Sequence, residues 1–170
     1  MVKSAAAILS SVLIVLCVAL SSMRASLYRD AVTLWSDTVA KSPNKARVQN
    51  EVGFALKRAE NLPAAARHLT RAVELRPDYV VALNNLASVA FSLGHKEEAL
   101  VYIRRAIALD DAYLPAHVSL AMWYVEAGMG PGAAQEFDLI VRRSPMGPDA
   151  VFARGMLSLI GQSAPGAATR

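Results

Sequence analysis

A single cysteine, Cys17, stands in the 170 residues. It has no partner in the chain, so a disulfide scaffold is excluded. The three histidines, His68, His95 and His117, are scattered and share no ligand spacing, which excludes a zinc module. Aromatic residues reach only 6%, poor in the mixture that strands favour. Charge of one sign is lacking as well. Of 18 basic and 14 acidic residues, Lys3 and Arg24 precede residue 26, so 18 − 2 = 16 basic residues face the 14 acidic ones. That balance argues against a nucleic-acid partner, which asks for a concentrated basic face. Catalytic signatures are missing: no nucleophile elbow, phosphate-binding loop, zinc-binding helix motif or dinucleotide fingerprint. Gly128 to Gly132 is glycine-rich, but it joins two helical segments and reads as a turn. His95 with Glu97 lacks the Pro-Cys-x-x-Cys that would make a deaminase motif. No enzyme activity, cofactor or metal site is therefore expected.

What is abundant is alanine and leucine, 31 and 20 residues respectively, a helix-former's composition. One long apolar run exists. Residues 4–23, between Lys3 and Arg24, carry no charge, and a helix of that length rises about 30 Å, the thickness of a hydrocarbon core. Two readings stay open: an uncleaved anchor, or a signal peptide cut near Ala19-Leu20-Ser21. The expectation is a single-pass membrane protein. Lys3 on one flank against Arg24 and Arg29 on the other encodes its orientation only weakly.

Behind this run the sequence repeats with a period of 34. Pro43, Pro77 and Pro145 share it, with Asp111 in the missing slot. Ala31, Ala65, Ala99 and Ala133 share it too, as do Gly53, Ala87, Ala121 and Gly155. Each unit reads as two helices, the first over Ala46 to Arg58 with Asn44 as its N-cap, and a second capped by Asn61 and stopped at Arg76-Pro77. Small residues facing each other, Gly53 with Ala65 and Ala87 with Ala99, let paired helices approach to about 8–10 Å. A lone pair cannot bury its apolar face, so the units must stack.

Leu83, Leu86, Ala87, Gly94, Ala99, Ile103 and Ala106 in one unit, and His117, Leu120, Ala121, Tyr124, Gly128, Ala133, Phe137 and Pro145 in the next, resemble the tetratricopeptide repeat. The resemblance implies an all-α solenoid of helix-turn-helix units. Its divisions are a transmembrane helix at 4–23, a half repeat at 26–42, and repeats at 43–76, 77–110 and 111–144. A capping helix at 145–161 and a tail at 162–170 complete it. The first unit departs from the family pattern, with Gln49 at the large position and Glu60 at the turn glycine, so a looser turn is expected there.

At the junction, Tyr28-Arg29-Asp30, Leu34-Trp35 and Ser42-Pro43-Asn44 are similar to membrane protein O-mannosyltransferases whose repeats follow the last membrane helix. That likeness implies repeats outside the cytoplasm, on the periplasmic side. The leading expectation is a membrane-anchored adaptor that binds a protein or peptide. The alternative is the substrate-binding portion of such a glycosyltransferase system, and a homo-oligomer is left open. The binding stripe, stepped along the first helices, is Asn50, Phe54 and Lys57, then Asn84, Ser88 and Phe91, then Val118, Met122 and Val125. Arg47 and Arg58 make its near end basic.

Overall fold

The computed structural model describes residues 38–163, Trp35, and the helical positions 14, 16, 17, 19, 20, 22 and 23. Helices follow one another along the chain: α1 (Ala46–Arg58), α2 (Leu62–Leu75), α3 (Val80–Ser92), α4 (Lys96–Leu109), α5 (Leu114–Glu126), α6 (Gly130–Arg143) and α7 (Pro148–Ser163). Among the described residues there is no strand. Each helix packs on the next, and α1, α3 and α5 also touch side by side. This is the all-α solenoid that the 34-residue period calls for.

Turns between paired helices repeat one geometry. Gly94 and Gly128 take φ of 86° and 70°, and Glu60 takes 61° in the equivalent place. The amide after each donates back to the last helical turn: Asn61 to Leu56 O and His95 to Ala90 O at 2.9 Å, Met129 to Tyr124 O at 2.8 Å. The first turn is therefore as tight as the others, and the expected looseness is corrected. The two helices fix the connection, and the glutamate accepts the left-handed backbone at its own expense. Glu60→Gly is expected to stabilise the protein by about 1 kcal/mol, read from the midpoint of chemical unfolding.

Asn61 caps α2 as expected, its side chain accepting from the Ala64 amide at 3.3 Å. Asn44 does not cap α1. Lys45 stands at that position without a side-chain cap, and the Asn44 side-chain oxygen Oδ1 instead accepts from Arg71 at 3.1 Å. The joints between units share a second device. Arg76, Asp110 and Ser144 are extended, with φ of −144°, −151° and −138°. The carbonyl of the residue after each meets a long donor: Arg105 for Pro77, His117 and Arg143 for Asp111, and Arg154 for Pro145. Gln49 does the same for Pro43 at 2.7 Å. Asp111 thus serves where other joints use proline, held by side chains instead of a ring.

Three apolar clusters run along the array. The first gathers Val52, Leu56, Ala65, Leu69, Leu86 and Val89, with Trp35 and Val39 packed against it. The second holds Leu83, Ala87, Ile103, Ala106 and Leu120, and the third Ala121, Ala133, Phe137, Ile140 and Ala153. The small columns lie inside them. A Cβ added at Gly53 would stand 2.5 Å from Leu69 Cγ and 3.2 Å from Ala65 O. Glycine is required by that close crossing.

The membrane expectation is overturned. Among the described residues no helix is long and apolar enough to cross a membrane. The longest, α7, has 16 residues, a rise of roughly 24 Å against the ~30 Å of a hydrocarbon core. Single-pass localisation, and with it the periplasmic placement of the repeats, is not upheld. Most of the 4–23 run, and of the half repeat at 26–42, lies outside the described residues. So do Tyr28-Arg29-Asp30 and Leu34 of the junction.

Candidate functional site

The first helices of the three units turn three faces in different directions. Positions 49, 53 and 56, and their equivalents 34 residues on, look toward the unit's own second helix. Gln49 meets His68 there at 2.8 Å and His117 meets Glu136 at 2.7 Å. Both histidines are packed, His117 at only 4% exposure. Burial, with Arg67 nearby, lowers the basicity of His68, which suits a neutral ring beside the neutral Gln49.

Positions 50 and 57 look toward the next first helix and form a seam. Asn85 donates to Asn50 at 2.9 Å and Ser119 to Asn84 at 3.1 Å. Lys57 donates to Ser88 at 2.6 Å, while Phe91 stacks on Trp123 with ring centroids 4.5 Å apart. Burial, followed by the neighbouring Arg58, pushes the Lys57 ammonium below its ordinary value.

The third face is left open. It carries Arg47, Glu51, Phe54 and Arg58 on α1, Val81, Asn85, Ser88 and Ser92 on α3, and Pro115, Ser119, Met122 and Glu126 on α5. Asn85 apart, these residues are partly or fully exposed. Phe54 and Met122 stand out as apolar side chains at 40% and 39% exposure. The Arg58 guanidinium lies 6.0 Å over the Phe54 ring, and Lys96 pairs with Glu126 at 3.2 Å. The face runs from basic and aromatic on α1, through small and polar on α3, to apolar on α5.

Of the sequence-derived stripe, Phe54, Ser88 and Met122 lie on this face. Asn50 and Asn84 are buried in the seam. Lys57 and Phe91 are half-buried there, and Val118 and Val125 pack against the third cluster. The central column of that stripe thus lies on the open face and its flanks lie one residue inward. Glu51, Asn85, Ser119 and Glu126 belong to the open face and stood outside the stripe. Their signal was available: with the buried columns at 52 and 53, the outward side of a 3.6-residue helix falls at 47, 51, 54 and 58. Among the described residues no group of three or more His, Cys, Asp or Glu is placed to hold a metal.

Residues 53–113 match the sequence profile of the family described as tetratricopeptide repeat. No curated protein matches. Among solved structures, the crystal structure of MamA superposes with a TM-score of 0.66 at 21% identity, covering 79% of this chain and 77% of that one. The Arabidopsis OM64 tetratricopeptide domain gives 0.61 at 18%, over 69% of this chain and 95% of that one. The first such domain of Spaghetti (RPAP3), bound to the HSP90 peptide SRMEEVD, gives 0.62 at 22%, over 69% and 91%. The fold is therefore that of tetratricopeptide domains. None of these named matches is a glycosyltransferase, so the junction's likeness to one finds no support.

Proposed function

We propose that the chain is a tetratricopeptide adaptor whose open face across α1, α3 and α5 receives a segment of a partner protein. The observation that carries this reading is the face itself. It joins three first helices, and it carries the exposed Phe54 and Met122 with the half-buried Ser88 between them. Scaffolds of this fold bind through such shared faces. One solved domain of like fold, the first of Spaghetti (RPAP3), holds a peptide.

The chemistry of the face describes the guest. Arg47 and Arg58 at the α1 end favour acidic side chains. Met122 at the α5 end offers soft, adaptable apolar contact. The half-buried Ser119 beside it can accept from a peptide amide through its hydroxyl oxygen. The guest is thus an extended or helical segment, acidic toward Arg47 and Arg58 and apolar toward Met122.

Two variants test this by crosslinking and recovery of the bound partner. Arg47→Glu with Arg58→Glu reverses the charge at one end, and Phe54→Ala with Met122→Ala removes the exposed apolar contacts. Each is expected to lower recovery at least tenfold, about 1.4 kcal/mol of binding, with helicity unchanged. Wild-type recovery by both folded variants would sink the reading.

A further inference from the structure

The last helix breaks the pattern of the others. It rests on α6 through Ala150, Ala153, Met156, Leu157 and Ile160. Its two remaining faces are largely exposed, although the Phe152 ring also meets Phe137 edge-on with centroids 6.0 Å apart. Val151, Gly155 and Ser158 occupy the places that in earlier units face the unit's own second helix, and all three are exposed. A Cβ on Gly155 would meet nothing within 4 Å, where one on Gly53 strikes Leu69. Phe152 and Leu159 occupy the seam positions that elsewhere meet the next first helix, and they stand 44% and 59% exposed, with Val151 at 66%.

The seam positions change in one direction along the array. They are Asn50 and Lys57, then Asn84 and Phe91, then Val118 and Val125, and at the end Phe152 and Leu159. The most apolar pair is the uncovered one. The neighbouring charge is turned away, since Arg154 donates to the Pro145 carbonyl in the turn before α7.

We infer that this end face binds the same face of a second copy, α7 against α7 across a two-fold axis. The strip is complementary to itself in antiparallel order. With Gly155 opposite Gly155, Val151 falls opposite Leu159 and Phe152 opposite Ser158, each pair setting a large side chain against another element of the strip. The central glycine lets the two backbones approach closely, and no like charges meet. An isologous contact of this kind closes on itself, so it yields dimers and not filaments. A 16-residue helix is roughly 24 Å long, and two such faces bury on the order of 1,000 Å² in total, at the lower edge of specific interfaces. The dimer therefore dissociates in the micromolar range.

The test is sedimentation velocity of the full chain across that range, beside a Phe152→Glu, Leu159→Glu variant whose helicity and thermal midpoint match wild type. Wild type is expected to pass from monomer to dimer with concentration while the variant stays monomeric. Gly155→Cys in a Cys17→Ser background is expected to crosslink to itself with a short bis-maleimide. A wild type that remains monomeric overturns the inference. So does association that survives the double substitution, which would assign it to the apolar residues 5–20, and so does capture of other proteins by α7 without self-crosslinking.

Discussion

Replacing Phe137 by alanine is expected to remove about 3–5 kcal/mol of stability, the largest loss from any single truncation in this protein. The ring is fully buried, packed among Ala121, Ala133, Ile140 and Ala153, and it meets the edge of Phe152 with centroids 6.0 Å apart. Three of its buried neighbours, Ala121, Ala133 and Ala153, are too short to collapse into the vacated space, so a cavity persists. The loss should also be local. Stability in a stacked array is close to a sum of unit and neighbour terms, and Phe137 belongs to the third unit and the cap. Hydrogen exchange is therefore expected to accelerate in α5, α6 and α7 while α1 and α2 keep their protection. Equal acceleration everywhere would show that the array opens as one body.

A second large effect is expected from Gly53→Leu, at the upper end of the roughly 1–3 kcal/mol that overpacking costs. Even the first carbon of the new side chain would stand 2.5 Å from Leu69 Cγ, and the Ala65 carbonyl 3.2 Å away is backbone that cannot rotate aside. The helix propensity gained over glycine, about 1 kcal/mol, does not offset this. At Gly155, in the same column, the same substitution meets open space and should leave the thermal midpoint unchanged or raise it. The pair makes the measurement self-calibrating, since propensity is common to both sites and only packing differs.

The contrast between Gly53 and Gly155 also marks where the sequence was readable. A 34-residue period is a statement about packing, because a small residue recurs only where two helices must cross closely. The units, their turns and their order followed from it. Handedness at Glu60 did not, since a turn imposed by two packed helices overrides the preference of one residue. Nor did the capture of joint carbonyls, which Gln49 and His117 perform from one column and Arg105, Arg143 and Arg154 from others. The open face was legible to within one residue. Asn50 and Asn84 look like surface side chains by type, yet they are buried because each has a partner in the neighbouring unit. Pairing across units is invisible to a reading that takes helices one at a time. The membrane reading of 4–23 rested on composition, and among the described residues no helix is long and apolar enough to cross a membrane.

The seam between first helices is not uniform. Between α1 and α3 it is held by Asn85 on Asn50 and Lys57 on Ser88, contacts that water can replace one for one. Between α3 and α5 it includes the flat stack of Phe91 on Trp123, at 3° between planes, for which water offers no substitute. The two joints thus answer solvent differently: the polar pairs of the first can trade their partners for water, whereas the ring stack of the second holds only while water is kept from between the rings.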